Sequence, residues 1–218
     1  QLVWVRGEAS PTVGGEGAAA ATAAPANDWS IPASRDAAVS GDNASADFKE
    51  QTFLLLRAGN SGKLEAASKI YLRFPLAGVD RSRVDQASLR LTAGRKGGAK
   101  PKVKPYKLHL WGLKSPESWD EHFSWATAPG NDVASPGGML ADKAVLLATF
   151  DIPGNPETGD PLVVSSAPLA QFIRDYVGDE LTLVLTGDAE TDHKGGWRIT
   201  ATEDSERFRP PTLFLKAK

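Results

Sequence analysis

The sequence predicts an all-β protein: an antiparallel β-sandwich of jelly-roll type with one short connecting α-helix. Three observations predict it. Short segments alternate apolar and polar residues with a period of two, as strands with one buried face do. Turn-forming clusters separate them, among them Gly59-Asn60-Ser61-Gly62, Pro136-Gly137-Gly138, Pro153-Gly154-Asn155-Pro156 and Gly195-Gly196. One segment, 166–177, instead repeats its apolar residues at helical spacing. Many short strands with a single helix suit a two-sheet jelly roll.

Residues 1–28 read as an N-terminal segment or linker, and 29–218 as the folded domain. Gly14-Gly15-Glu16-Gly17 is followed by seven residues that are all Ala except Thr22. That run has nothing large to bury, so it reads as a spacer, with a short helix as the alternative. Leu2-Val3-Trp4-Val5 reads as a stray strand on the body or the end of a preceding module. Phe53 to Leu56 is a continuous apolar run and predicts a more deeply buried strand. In Ile70-Tyr71-Leu72-Arg73-Phe74, Ile70, Leu72 and Phe74 share one face, and Tyr71 and Arg73 the other. Leu89 and Leu91, then Leu181, Leu183 and Leu185, and finally Leu213 and Leu215 repeat the pattern. Residues 94–105 and 187–196 read as long surface loops. The helix places Leu169, Phe172, Ile173, Tyr176 and Val177 on one side. Ser165 or Ser166 caps it, Pro168 suits its first turn, and Gly178 ends it.

Composition removes several function classes. The chain has 218 residues, 25 of them basic and 27 acidic, for a net charge of −2. That balance opposes a nucleic-acid footprint. No apolar run approaches the roughly 18–20 residues of a membrane span. Gln1-Leu2-Val3-Trp4 has no basic region or long apolar stretch, so no signal peptide is expected within these residues. Cysteine is absent, which excludes disulfides, thiol nucleophiles and thiolate metal sites. The three histidines, 109, 122 and 193, lie far apart, against a His-rich metal site.

The order of segments resembles a known family. Lys69-Ile-Tyr-Leu-Arg-Phe-Pro-Leu-Ala-Gly-Val79 followed by Val84-Asp-Gln-Ala-Ser-Leu-Arg-Leu91 resembles the central pattern of the DNRLRE domain, also filed as carbohydrate-binding module family 96. Trp119-Asp-Glu-His-Phe-Ser-Trp125-Ala-Thr-Ala-Pro129 is similar to its tryptophan-bearing motif. Val163 to Leu185 and Ile199 to Leu215 are similar to its later segments. The resemblance spans roughly residues 30–216 and rests on the order of five motifs together. It departs at Ala126-Thr127, where the family carries two Asn, and at Thr202-Glu203-Asp204, where it carries Ser-Arg-Glu. It implies a module of secreted or cell-surface bacterial or archaeal proteins. For some members it implies sugar binding, including uronic-acid polymers, and for others a structural role.

Several residues are candidates for binding. In Lys107-Leu108-His109-Leu110-Trp111, inward leucines would put Lys107, His109 and Trp111 on the outer face. A cation beside an exposed aromatic suits an acidic sugar; the opposite register would bury Trp111. Trp119 and Trp125 invite a stacking role, but large aromatics in a sandwich read first as core. Arg95, Lys96, Lys100, Lys102, Lys104 and Lys107 form a basic run without an acid. It reads as a polyanion contact or, alternatively, as a solvated loop. Jelly-roll sugar-binding modules often pin their first and last strands with calcium. Asp36, Asp42 and Asp204, with Asn43, Asp47 and Glu203, could supply hard oxygen ligands; ordinary surface carboxylates are the alternative. No other cofactor is expected. Catalysis is not expected, because Asp120-Glu121 and Glu203-Asp204 lack a partner at a recognisable spacing. The sequence thus reads as a non-catalytic carbohydrate-binding module, secreted or on a cell surface. Its partners would be an acidic polysaccharide and neighbouring domains of a larger protein, with no nucleic acid and no membrane span. A structural or adhesive module is the alternative, and a lyase or hydrolase a weaker one.

Overall fold

A computed structural model describes residues 28–42, 53–60, 63–94, 106–116, 119, 122–152, 157–188, 197–202 and 210–218. The described residues form two antiparallel sheets and one short helix. The smaller sheet runs β1 (Trp29–Pro32), β11 (Thr212–Ala217), β5 (Val84–Thr92), β8 (Pro161–Ser165). The larger runs β10 (Trp197–Thr200), β3 (Phe53–Asn60), β4 (Lys63–Pro75), β9 (Glu180–Gly187), β6 (Tyr106–Leu113), β7 (Ala144–Ile152). A further strand, β2 (Arg35–Ser40), pairs with β4 along Ser68–Arg73, on the edge opposite β9. The sheets meet at one corner, where Ala93 bridges Ile199 and the Gly94 amide donates to the Arg198 carbonyl. The stretch from Leu2 to Val5 and the rest of residues 1–27 lie outside the described residues.

The alternating strands bury the faces predicted for them. Ile70, Leu72 and Phe74 of β4 and Leu181, Leu183 and Leu185 of β9 pack between the sheets. They face Leu89 and Leu91 of β5 and Leu213 and Leu215 of β11. The Phe53 run departs from expectation. Leu54 and Leu56 are buried, but Phe53 and Leu55 are only half-buried, so this strand alternates like the others. Its outer Phe53 ring is covered by the guanidinium of Arg198, 4.4 Å from the ring centroid. A cation over an aromatic face lets an apolar residue occupy an outer position.

The helix, α1 (Ala167–Asp175), is shorter than the apolar spacing suggests. Ser166 is its N-cap, accepting from the Leu169 amide at 3.1 Å, with Pro168 in the first turn. Leu169, Ala170 and Ile173 enter the main core. At Tyr176 the chain turns extended. The Tyr176 carbonyl accepts from Arg81 and its hydroxyl donates to the Glu180 carbonyl. Val177 therefore lies beyond the helix and is 82% exposed, and Gly178 completes the turn at φ +151°.

The outer face of the larger sheet is a second interior. Tyr71 of β4, Ala37 and Val39 of β2 and Val184 of β9 are buried there with Trp119, Trp125, Ala128 and Met139. The last four come from the excursion between β6 and β7, which folds back over the sheet as a cap. Tyr71 and Arg73, read from alternation as the open side of their strand, are thus enclosed.

Candidate functional site

Two places on the larger sheet's outer face gather chemically capable side chains. The first is the strip along β6. Leu108 and Leu110 point into the main core, so Lys107, His109 and Trp111 share the outer face, as the alternation predicts. The His109 and Trp111 rings meet edge-on, with centroids 6.2 Å apart. Across the pairing with β7, Lys107 sits opposite Asp151, His109 opposite Thr149 and Trp111 opposite Leu146. His109 Nδ1 is 2.9 Å from the Thr149 hydroxyl. Trp111 is half-buried and leans on the capped cluster, and its Nε1–H donates to Thr186 Oγ1 at 3.0 Å. Thr186 in turn donates to the Gly137 carbonyl of the cap at 2.8 Å. The strip's aromatic is therefore fastened at its polar edge, with part of its ring left open.

Charge on this strip is mixed. Burial lowers the His109 pKa from 6.5, Asp188 opposes that shift and Lys107 reinforces it. His109 is accordingly neutral at pH 7. Lys107 is then the strip's cation, beside Asp151 and Asp188. Any attraction for a polyanion has to come from the adjoining basic run. Arg95, Lys96, Lys102 and Lys104 of that run lie outside the described residues.

The second place was not legible as a site in the sequence. The Lys69 side chain is buried under the cap, where Nζ donates to Asn131 Oδ1 at 2.6 Å and to the Gly138 carbonyl at 2.5 Å. The Ser135 and Asp132 carbonyls lie at 3.0 and 3.3 Å. The Trp125 ring centroid is 4.6 Å from Nζ. Burial pushes Lys69 down from 10.5 to about 7, and the charge of Asp132 pulls the other way. Nearby, Arg73 lies over the Trp119 ring at 4.5 Å, donates to the Trp119 carbonyl at 2.8 Å and pairs with Glu180 at 3.1 Å. Trp119 Nε1–H donates to Thr182 and Trp125 Nε1–H to the Val133 carbonyl. Both tryptophans are core, as expected of them, but of the capped layer rather than the space between the sheets. A hint was available: a 30-residue stretch with two tryptophans and no strand periodicity follows β6, and the earlier strand β4 carries Lys69, Tyr71 and Arg73 on the side away from its leucines.

Of the carboxylates proposed for calcium, the two that are described lie apart. Asp36 is buried and accepts from the Thr202 amide at 2.6 Å, tying β2 to the segment after β10. Asp42 is exposed, six residues further along an extended strand and its turn, on the order of 15–20 Å away. One ion with ligands at about 2.3–2.6 Å cannot join the two. Asp204 lies outside the described residues. Among the described residues no three His, Cys, Asp or Glu side chains are grouped to hold a metal. No helix among them is long and apolar enough to cross a membrane.

No protein-family model matches this chain, and no curated protein matches it.

Proposed function

We propose that this domain is a non-catalytic carbohydrate-binding module of a secreted or cell-surface protein, built on a sandwich of jelly-roll type and related to the DNRLRE domains it resembles. One observation carries the reading: a partly open Trp111 ring stands beside His109 and Lys107 on a strand held on both sides by hydrogen-bonded neighbours. A ring fixed in this way offers a pyranose an apolar face without losing rotamer freedom on binding. Preference for an acidic polysaccharide rests on Arg95, Lys96, Lys102 and Lys104, since Asp151 and Asp188 offset Lys107 on the strip itself. In this reading a calcium site draws on Asp36 and Asp204, with Asp42 too far along β2 and its turn to share the ion.

A second reading has its own support. Trp111 already donates its N–H to Thr186 and rests against the cap, which also suits a structural or adhesive module without a sugar site. Affinity electrophoresis against neutral, uronic and sulfated polysaccharides, at two salt levels and with and without calcium, separates the readings. The expected result is retardation by an acidic glycan that fades with salt, because exposed charges are screened beyond about 10 Å at 0.1 M. Trp111→Ala should weaken binding about tenfold, roughly 1.4 kcal/mol, while the melting curve stays cooperative. Retardation by no glycan would replace this reading with the structural one.

A further inference from the structure

We propose that the domain cross-links itself: Lys69 Nζ forms an amide bond with the Asn131 side-chain carbon and ammonia is released. The contact between them spans 62 residues of sequence and joins β4 to the cap. Nζ is 2.6 Å from Asn131 Oδ1. With a carbonyl bond of about 1.23 Å, the amide carbon lies within about 3.8 Å of the amine. That is close to the roughly 3–3.5 Å of a reactive approach, and both groups are held there by the fold. Asn131 is buried, and its orientation is fixed because its Nδ2 donates to the Trp125 carbonyl at 2.5 Å. The amide oxygen is thereby turned to Lys69 and the departing nitrogen away from it.

The chemistry balances without a co-reactant. The ammonium first releases one proton to solvent. Burial, which lowers the Lys69 pKa to about 7, leaves a substantial share of the amine uncharged at neutral pH. The amine lone pair attacks Asn131 Cγ and forms the new C–N bond. A proton from Nζ passes to Nδ2, the Cγ–Nδ2 bond breaks, and ammonia leaves. One N–H remains on Nζ, and the Gly138 carbonyl at 2.5 Å is positioned to accept it. The Trp125 ring, which covers the ammonium before reaction, then packs on the lysine methylenes. Both partners are nearly sealed from water, so hydrolysis does not compete, and dilution of ammonia makes the step one-way. A chain with no cysteine gains by this route a covalent staple between its sheet and its cap.

The test is a tryptic map of the full chain, denatured before digestion. An acylated Lys69 resists trypsin, so the expected product is a branched peptide joining the Lys69 and Asn131 segments. The intact mass should fall one ammonia below the sequence mass. Cyclisation of Gln1 also releases an ammonia, so the map and not the mass decides. Lys69→Arg and Asn131→Ala should each restore linear peptides, and the Asn131→Ala map should show cleavage after Lys69. Quantitative recovery from the wild-type chain of a linear peptide ending at Lys69 overturns the proposal, whether or not either variant folds.

Discussion

Tyr176 shows how one side chain fixes a boundary and sets a pH limit. Its hydroxyl donates to the Glu180 carbonyl, its ring packs against Phe172 with centroids 5.6 Å apart, and its carbonyl is held by Arg81. Burial raises the phenol from 10.0 to about 12, with Arg81 and Arg73 opposing the shift and Glu180 adding to it. As pH rises past 10, the unfolded chain gives up this proton while the folded protein keeps it. Stability present below pH 10 is therefore lost between 10 and about 12. Tyr176→Phe should cost about 1 kcal/mol at neutral pH for the missing hydrogen bond. It should also flatten the alkaline limb of a urea-stability profile measured from pH 9 to 11.5. An unchanged limb would place the alkaline sensitivity elsewhere. Gly112 is a second single-residue constraint: a Cβ there would stand 2.3 Å from Phe172 Cε1, so a side chain at this position of β6 requires the Phe172 ring of α1 to move.

At the scale of elements, α1 is held by its N-cap. The Ser166 hydroxyl accepts from the Leu169 amide and donates to the Leu147 carbonyl of β7 at 2.7 Å, so one oxygen both caps the helix and docks it on the sheet. Ser166→Ala should cost roughly 1–2 kcal/mol, the upper part of the usual range for a lost N-cap, read as a lower urea midpoint with an unchanged m-value. A loss below a few tenths would show that Arg174, which donates to the Val84 carbonyl, carries the docking instead. The helix and most strands were legible because each buries one face, and burial of one face leaves a period in the sequence. The helix end was not: Val177 fits the apolar spacing, but the Tyr176 ring and carbonyl contacts take the backbone out of the helix first. Phe53 and Leu55 looked like core because their sequence does not reveal an Arg198 lying across the outer face. The cap was hidden for a related reason. Its described residues form no helix or strand to impose a period, and its shape is set by contacts from Lys69, Arg73 and Thr186 on strands far away in sequence. For the candidate strip, sequence fixes which residues share a face, since Lys107, His109 and Trp111 follow strict alternation. It does not disclose that Thr186 holds the Trp111 N–H.

The whole molecule is closed by its last strand. β11 lies between β1 and β5, pairing Leu213 with Ile31 on one side and with Leu89 on the other. Loss of β11 would leave β1 without a strand partner among the described residues and uncover Leu89 and Leu91. A chain ending at Pro211 should accordingly fail to unfold cooperatively, checked by circular dichroism through a thermal ramp. A sharp transition from the truncated chain would show that the larger sheet with its cap folds independently of the smaller one. That outcome has a physical basis to compete with, because the capped cluster is built from the larger sheet and the excursion alone.

The pairing of β1 with β11 also settles how tension would enter this fold. Trp29 lies opposite Leu215, so Asp28 and Lys218 leave from the same end of an antiparallel pair. Pulling on these two points loads the ladder one rung at a time, as a zipper opens, instead of shearing all its rungs together. The β1–β11 ladder is the first part loaded, and the force reaches β4 and its Lys69 junction with the cap only after that ladder has opened and the load has passed through β2.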